Sequence, residues 1–464
     1  MNKDELLYYL LSQKKKKDDI IIQPREDVTY FPMTSHQEEF YLLDQLQPDD
    51  LALNLSFSYE LRGDIKIDAL EKAFSAIIDR HEIFRTAYVF KEDYLQIVLR
   101  KKEFKLNVIT IPDDINDKIT FSRNIISEML HKRFDLNSGD VFKVALLKLS
   151  HNHYILWWCF HHIVSDAWGQ KVFIKELKDY YAFYAFRKDL NLNELSVQCG
   201  DYAIWQRSFF AKENMKRKIE NWCSKLDGIK RNLTLPTDYV RPIKQTFNGN
   251  TLEFDFNDLT RGMVKKFAKE KNTTVFSVLF TGVNLLIYKY TKETDIVVGS
   301  PYSIRNHKYL EPIICDLSTM LIYRSIFTKD DSLDEVLVKV QNTIYNTLEN
   351  NDVPFQNIYD RYKEGHDKSY SPLFQIMFVF HQFFLSEDEQ LLDEIDSKYF
   401  FVTKEASQFD FSVFIFDDEC RGMYGKIEYN TDLYKKETIL KYINDLEQII
   451  VDLSSNSNKK IYEL

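Results

Sequence analysis

The first third of the chain alternates between two hydrophobic periods, which predicts strands and helices in turn. An alternating run through Phe57 and Tyr59 predicts a strand, because successive side chains on a strand point to opposite faces. Apolar residues with helical spacing follow from Ile67 to Arg80, and a second strand is predicted from Phe84 to Phe90. This order of strand, helix and strand predicts an α/β layered fold.

A continuous apolar run from Tyr154 to Phe160 predicts a strand that is buried on both faces. A helix from about Gln170 to Arg187 is expected to follow it, and a second α/β unit comes later in the chain. The elements of that unit are a strand from Thr251 to Phe256, a helix from Asp258 to Lys271, a buried core helix from Val275 to Tyr288 and a strand from Asp295 to Gly299. The core helix is shorter than the roughly 20 apolar residues of a membrane span, so no membrane contact is expected.

The 464 residues exceed what one ordinary hydrophobic core holds, so we expect two lobes. Polar breakers in residues 191–200 indicate the junction, which gives a first lobe over residues 28–190 and a second lobe over residues 191–464. Residues 1–27 form an N-terminal extension that begins with a leucine-rich helical pattern and continues into a run of lysines. Two interpretations of residues 1–22 stay open, a disposable tail and a docking element for another protein.

The net charge of −10 and the scarcity of glycine exclude two classes of function. A chain with this charge has no global basic field for nucleic acid, whose binding depends on neutralising phosphates. Phosphate-binding loops need clustered glycines, and neither GxxxxGK[ST] nor GxGxxG occurs in the sequence. We therefore expect no nucleic-acid partner and no nucleotide-driven enzyme.

The five cysteines are widely spaced and form no CxxC pair, so the sequence predicts neither a disulfide framework nor a zinc knuckle. The N-terminus also lacks the uninterrupted apolar core and the cleavage site of a signal peptide. The predicted compartment is the reducing cytoplasm, and the predicted state is a monomer.

The candidate chemistry lies directly after the buried strand, in the segment HHIVSDAWG from His161 to Gly169. An imidazole titrates near neutral pH and can take or relay a proton. Asp166, four residues after His162, can fix the turn that leaves the strand. His162 is therefore the candidate catalytic residue, with a chance occurrence of the HHxxxD pattern as the alternative.

Metal binding and covalent catalysis are alternatives that the sequence supports less well. The side chains of His151, His153, Cys159 and His161 are close in sequence, but zinc needs three or four converging ligands and these residues have no standard spacing. A solvated surface position is the simpler interpretation of the first two. No GxSxG elbow and no cysteine beside a plausible base occur. Direct transfer between two bound substrates, without a resident cofactor or metal, is the simpler mechanism.

The segment HHIVSDAW resembles the HHxxxDG motif of the condensation domains of nonribosomal peptide synthetases, and other motifs of that family follow in its order. They are MTSHQEEF at residues 33–40, RHEIFRT at 80–86, DYAIWQ at 201–206, LPTD at 235–238, VGSP at 298–301 with Arg305 and Asn306, NDVPF at 351–355, SPLFQ at 371–375 and EYNTDL at 428–433. One such match could be accidental, but this ordered set spans the chain.

The resemblance implies a V-shaped pair of chloramphenicol-acetyltransferase-like lobes with a tunnel between them. His162 would be the central catalytic histidine, and Asp166 would shape its loop through a salt bridge to Arg305. His161 and Ala167 belong to the same loop. The residues expected along the tunnel are Trp168, Gly169, Ser318 and Met320.

The activity that the resemblance implies is amide-bond formation between a carrier-bound acyl or peptidyl thioester and an amine. Carrier proteins present the substrates on phosphopantetheine arms, so the expected partners are an upstream donor carrier and either a downstream carrier or a free amine. If the chain stands alone at the end of a pathway, the free amine would release the peptide. Two alternatives stay open: a catalytically silent domain that recruits another protein, and a coenzyme A-dependent acyltransferase.

The sequence departs from the family motifs at three places. Ala167 replaces the usual glycine after the aspartate, which adds a methyl group and disfavours a positive φ. The segment ICDLST from Ile314 to Thr319 stands where GFFVNT is expected, with Ser318 at the asparagine position. His36 stands where alanine is usual, a change to which the sequence assigns no consequence.

Overall fold

The computed structural model describes residues 21–26, 28–46, 51–101, 103–211, 213–305, 307–351, 353–381, 390–402, 405–418 and 421–464. The strands are β1 (Phe31–Pro32), β2 (Asn54–Arg62), β3 (Thr86–Phe90), β4 (Tyr94–Val98), β5 (Asn107–Thr110), β6 (Phe142–Ser150), β7 (His153–His161), β8 (Gly249–Asp255), β9 (Asp295–Ser303), β10 (Ser318–Ile326), β11 (Ile376–His381), β12 (Asp396–Tyr399), β13 (Phe411–Asp418) and β14 (Gly422–Asn430). The helices are α1 (Ser35–Leu46), α2 (Ile67–Arg80), α3 (Lys118–Leu130), α4 (Ala167–Phe186), α5 (Cys199–Phe210), α6 (Glu213–Lys225), α7 (Asp258–Glu270), α8 (Val275–Thr291), α9 (Leu333–Leu348), α10 (Phe355–Lys363) and α11 (Lys436–Ser455).

A five-stranded sheet in the order β12-β2-β7-β6-β5 forms the centre of the first lobe. Its middle strand, β7, pairs antiparallel with both neighbours, and the side chains from Tyr154 to His161 are all buried. The apolar run can be buried along its whole length because helices lie against the sheet, with the Trp158 ring 5.6 Å from the Phe173 ring of α4. A separate three-stranded sheet, β1-β4-β3, lies beside this core.

A six-stranded sheet in the order β10-β9-β11-β13-β14-β8 forms the centre of the second lobe. Alternate residues of β9 enter different cores: Ile296 and Val298 pack with α8, α9 and α11, whereas Val297 packs with α6 and α10. This alternation follows from the two-residue period of a strand. Every residue of α8 from Ser277 to Tyr288 is buried, as the apolar sequence of that stretch predicts.

Two segments of the second half of the chain cross to the first lobe. Strand β12 pairs antiparallel with β2, and the N–H of Phe400 donates to the carbonyl of Ser58 at 2.8 Å. Residues 304–317 also leave the second sheet, and five of them belong to the first core: Leu310, Ile313, Ile314, Cys315 and Leu317. These crossings bring the second half of the chain against the end of β7. The division of the chain between residues 190 and 191 stays a prediction.

Most of the predicted elements coincide with observed ones, and two of the boundaries that differ have a clear physical cause. Helix α2 has the predicted bounds, and the other predicted helices and strands overlap observed elements within a few residues. The predicted strand from Phe84 is wrong at its start, because residues 82–85 form a 3₁₀ turn that buries Ile83 and Phe84 before β3 begins at Thr86. Helix α4 starts at Ala167, three residues earlier than expected, because Asp166 caps it.

The predicted features of residues 1–22 lie outside the described residues, except for Ile21 and Ile22. Ile22 is buried against the first core, whereas Ile21 is exposed. Among the helices that the structure describes, none is long and apolar enough to cross a membrane.

Replacing two glycines by alanine should change the stability in opposite directions. A Cβ on Gly299, in the middle of β9, would lie 2.2 Å from ring atoms of the buried Phe374, so Gly299→Ala should lower the free energy of unfolding by about 1 to 3 kcal/mol. A Cβ on Gly262, inside α7, would meet no atom within 4 Å, so Gly262→Ala should raise the free energy of unfolding by about 0.5 to 1 kcal/mol. Urea unfolding of the purified variants measures both, and equal shifts would contradict the packing described for β9.

Candidate active site

His161 closes β7 and serves the structure of the loop that follows. Its Nδ1 accepts a hydrogen bond from the N–H of Ile163 at 3.1 Å, which assigns the ring proton to Nε2. That nitrogen lies 3.7 Å from Oδ1 of Asp44, too far for a hydrogen bond. Burial lowers the pKa of His161, although the Asp44 carboxylate opposes the shift. His161 is therefore a buried neutral ring that holds the turn.

Asp166 joins three parts of the molecule. Its Oδ1 accepts the N–H of Gly169 at 2.7 Å and so caps α4. Its Oδ2 accepts the N–H of Leu317 at 3.0 Å and also pairs with Arg305, whose side chain is 1% exposed. The Nη2 of Arg305 in turn donates to the carbonyl of Cys315 at 2.7 Å. The ion pair that the resemblance implies is present, and it fastens the crossing segment 304–317 to the histidine loop.

His162 is the first residue of the 3₁₀ turn after β7, and its side chain is 27% exposed. The ring lies beside that of Phe40 of α1, with a distance of 4.7 Å between the ring centroids and an angle of 42° between the ring planes. Its Nδ1 is buried and lies 3.4 Å from Oδ2 of Asp316. Because Nδ1 faces a carboxylate, the exposed part of the ring lies away from Nδ1.

Asp316 lies between two histidines, and its side chain is fully buried. Its Oδ1 accepts hydrogen bonds from both the N–H and the hydroxyl of Ser318, at 3.0 and 2.7 Å. Its Oδ2 lies 3.5 Å from Nδ1 of His36 and 3.4 Å from Nδ1 of His162. Both distances are within ion-pair range, but neither contact has the geometry of a hydrogen bond. The sequence alone assigns no role to Asp316 or His36, and the structure brings both to His162.

The two neighbours of Asp316 determine its charge and that of His36. Burial alone would raise the pKa of the Asp316 carboxyl, but His162 and His36 lower it well below its usual range. Burial alone would lower the pKa of His36, but the Asp316 carboxylate more than offsets this and raises the pKa to about 9. At neutral pH, His36 is therefore an imidazolium paired with a carboxylate.

A cavity of about 260 Å³ opens beside this cluster. Its polar end contains His36, Asp316 and Ser318, and its aromatic wall contains Trp205, Phe209 and Phe355. His162 does not line this cavity but contacts Asp316, which does. Apolar walls with a few converging polar groups are typical of a small-molecule site.

Of the four predicted tunnel residues, only Ser318 lines this cavity. Trp168 is partly exposed and donates its indole N–H to the carbonyl of Glu311 at 2.9 Å. Gly169 is buried in the first turn of α4, and Met320 packs against the core formed with α6 and α10. Tunnel roles for Trp168, Gly169 and Met320 therefore stay predictions.

Alanine in place of the usual glycine at position 167 does not strain the observed backbone. Ala167 is the first residue of α4, its side chain is exposed, and it has no positive φ. The first position of a helix accepts alanine without strain.

The expectation that no cysteines pair is wrong. A disulfide joins Cys199, the first residue of α5, to Cys315, and their Cα atoms are 5.6 Å apart. The two residues are 116 positions apart, so no local spacing could indicate the bond. Cys159 and Cys223 are free, and Cys420 lies outside the described residues. The disulfide ties the residue next to Asp316 to the start of α5.

No group of three or more histidine, cysteine, aspartate or glutamate side chains that could hold a metal ion occurs among the described residues.

Comparisons with known proteins agree with the fold. A family model described as Condensation domain matches residues 28–464. A linear gramicidin synthase of Brevibacillus parabrevis is 29% identical over 432 residues, which are 91% of this chain but only 8% of that protein. Bacitracin synthase 3 of Bacillus licheniformis is 28% identical over 445 residues, which are 96% of this chain and 7% of that protein. The chain thus spans a small part of the length of these curated relatives.

Two solved structures resemble the chain over nearly its whole length. The X-domain in its complex with OxyB from teicoplanin biosynthesis is 21% identical with a TM-score of 0.85, over 96% of this chain and 98% of that one. A four-domain nonribosomal peptide synthetase, solved in its holo form with AMP and glycine, is 17% identical with a TM-score of 0.85, over 97% of this chain and 35% of that one. These likenesses confirm the expected two-lobed fold of the chloramphenicol-acetyltransferase type.

Asp166→Asn should destabilise the protein by about 3 to 5 kcal/mol, because it leaves the buried Arg305 without a counter-charge. The amide oxygen can still accept the N–H of Gly169, so the helix cap is retained. Urea unfolding measures the loss. The double variant Asp166→Asn with Arg305→Met should recover much of it, since both charges are then absent. A double variant no more stable than the single one would show that the uncompensated charge is not the cause.

His36 should make the stability fall as the pH rises from about 6.5 to about 9. Its pKa is about 9 in the folded chain against an ordinary value of 6.5, so its contribution, up to about 3 kcal/mol, is complete below 6.5 and is lost as the pH passes 9. Asp316, whose pKa is lowered, loses its contribution only in acid. The free energy of unfolding of the unmodified chain and of the double variant His36→Ala with Asp316→Asn, in which the carboxylate shared with His162 is also removed, should differ in slope between pH 6 and about 9.5. Parallel curves would contradict the assigned charge.

Proposed function

The chain belongs to the condensation-domain family of nonribosomal peptide synthetases, and from this premise we propose that it forms an amide bond between a carrier-bound acyl or peptidyl thioester and an amine. The observation that carries the proposal is the position of His162. Its ring is fixed by Phe40 and by a buried carboxylate at Nδ1, and about a quarter of the side chain is exposed. A histidine held in this way can take part in proton transfer through its second nitrogen.

In this reaction one bond forms, one bond breaks and one proton is transferred. The amine nitrogen attacks the carbonyl carbon of the thioester, the C–N bond forms, and the C–S bond breaks. The proton that the amine loses passes to Nε2 of His162 and then to the departing thiolate, so the products are an amide and a free thiol. Because the thioester is already activated, alignment of the two substrates can contribute several of the roughly 7 to 11 kcal/mol available from orientation. A general base typically increases the rate about 10²- to 10⁴-fold.

The proposed partners follow from the substrates. An upstream carrier protein presents the donor on a phosphopantetheine arm, and a second carrier or a free amine presents the acceptor. Residues 1–22 are the proposed docking element for an upstream partner. A cytoplasmic location, a monomeric state and the lobe boundaries at residues 28–190 and 191–464 also stay proposals.

Two other functions fit the same fold. The likeness to an X-domain, which was solved in complex with OxyB, favours a domain that recruits another protein instead of catalysing a reaction. A coenzyme A-dependent acyltransferase would share the pantetheine arm but would need no carrier protein. The intact pair His161 and His162, with Asp166 in place, supports catalysis.

The test is a condensation assay read by mass spectrometry. The chain is incubated with an aminoacyl thioester on a carrier protein and with a mixture of carrier-bound and free amines. We expect an amide product whose rate falls about 10²- to 10⁴-fold in His162→Ala. His153→Ala is the matched control, because this histidine begins the same strand and contacts Glu60 at 2.7 Å, away from the site; its rate should not change.

Each alternative has its own outcome in this assay. Carrier binding without product from any donor would overturn the proposal in favour of recruitment. Equal rates with acyl-coenzyme A and with acyl-carrier donors would favour the coenzyme A-dependent enzyme.

A further inference from the structure

A buried carboxylate needs a partner that can be charged. Asp316 has a fully buried side chain, and among the residues that the structure describes the groups within 4 Å of its Oδ2 that can carry positive charge are the imidazoles of His36 and His162. A carboxylate removed from water is costly unless it is paired. The arrangement therefore requires positive charge on at least one of the two rings.

The two rings differ in exposure and in the charge assigned to them. His36 is 15% exposed and lies at the start of α1, whereas the His162 side chain is 27% exposed. The charge assigned above to His36 satisfies the carboxylate, since the pKa of this ring is raised to about 9. His162 is then not needed as a counter-ion. Its Nδ1 nevertheless still points at Asp316, which favours a proton on that nitrogen and a lone pair on Nε2.

We propose that Asp316 and His36 are positioning residues for the reaction: Asp316 fixes the tautomer and the ring orientation of His162, and His36 supplies the positive charge that keeps Asp316 ionised. This inference rests on the proposed function. It assigns a task to Asp316, which contacts His162, and to His36, which contacts Asp316; neither residue carries a proton of the substrate itself.

The carboxylate is itself held rigidly. Ser318 donates two hydrogen bonds to Oδ1 and so directs Oδ2 toward the histidines. The neighbouring residue on one side, Cys315, is bonded to Cys199, and the N–H of Leu317 on the other side is bound by Asp166. A group that orients a catalytic ring has to be fixed by its own surroundings, and Asp316 is fixed on both sides.

Other charged groups act on this cluster from each packed element. On α1, Glu39 faces His36, and burial raises the pKa of its carboxyl. Asp360 of α10 acts on Glu39, and Asp166 acts on His36. Asp166 is already paired with Arg305, and His161 lies on the other side of the loop beside Asp44. In this set, Asp316 is the group whose oxygen contacts both His36 and His162.

The first variant is Asp316→Asn, which keeps the shape and removes the charge. We expect kcat in the condensation assay to fall about 10- to 100-fold while KM stays within about twofold, because the tautomer of His162 is no longer fixed. Nitrogen-15 spectra of the histidine rings, with the His162 signal assigned through His162→Gln, should show the proton on Nδ1 in the unmodified chain and a mixture of tautomers in the variant. The chain has 10 histidines, so the spectra stay tractable.

The second variant is His36→Ala, which removes the positive charge and leaves Asp316 in place. His162 is then left as the counter-ion of the carboxylate, and a ring that carries this charge has no lone pair to accept the proton of the amine. We expect the acid limb of the kcat profile to move to higher pH, with activity recovering in alkali. The effects of His36→Ala and Asp316→Asn on kcat should not add, because both act through the same ring.

Asp410→Asn is the control for a general loss of stability. Asp410 is a buried carboxylate of the second lobe paired with Arg241, so its removal should destabilise the chain about as much as removing Asp316 does. It should leave kcat, its pH profile and the His162 spectrum unchanged. Circular dichroism shows whether each variant is folded under the assay conditions.

The outcomes separate this inference from the proposed function. If the unmodified chain forms no product with any donor, the proposed function and the positioning role are both overturned. Product from the unmodified chain, with unchanged kcat and an unchanged ring spectrum in Asp316→Asn, overturns the inference alone. If Asp316→Asn fails to fold, an unmoved pH profile in His36→Ala refutes it.

Discussion

The candidate site depends on one carboxylate, that of Asp166, which holds together parts of the chain that come from both lobes. It caps α4, pairs with Arg305 and binds the N–H of Leu317. The last two contacts fasten the crossing segment 304–317 to the loop after β7, and this segment carries Asp316 toward His162. An ion pair in this position contributes little net stability compared with apolar packing, but it defines one arrangement of the segment, and the site needs that arrangement.

The motifs that the sequence shares with its family are mostly contacts between distant parts of the chain. The opening motif meets DYAIWQ, since the N–H of Ser35 donates to Oε1 of Gln206 at 2.9 Å. LPTD meets EYNTDL, where the N–H of Asp238 donates to the carbonyl of Leu433 at 2.8 Å. The glycine of VGSP leaves room for the phenylalanine of SPLFQ. Most of these segments therefore specify how the lobes are built, and the candidate site lies at the loop after β7 and the groups around it.

The sequence predicts what depends on local pattern and fails where the structure depends on contacts between distant residues. The bounds of α2 and the burial of β7 follow from periodicity alone. The pair of Asp166 and Arg305 came from resemblance, since no local pattern relates residues so far apart. Asp316 and the disulfide of Cys199 with Cys315 were missed because both depend on how segment 304–317 crosses between lobes. A signal for Asp316 was present, however: the unusual histidine of the opening motif and the unusual acid of ICDLST are complementary in charge.

This complementarity explains why the two departures occur together. An aspartate alone at position 316 would be a buried charge, which is strongly destabilising without a cation, and its remaining titratable contact at Oδ2 among the described residues would be the ring of His162. A histidine alone at position 36 would be a mostly buried base without the carboxylate that lies 3.5 Å from its Nδ1. At neutral pH the two form an ion pair without net charge, so the carboxylate can contact the ring of His162, the proposed catalytic residue, without needing a positive charge on that ring. The pair makes physical sense only as a unit, and the residue that benefits from it is His162.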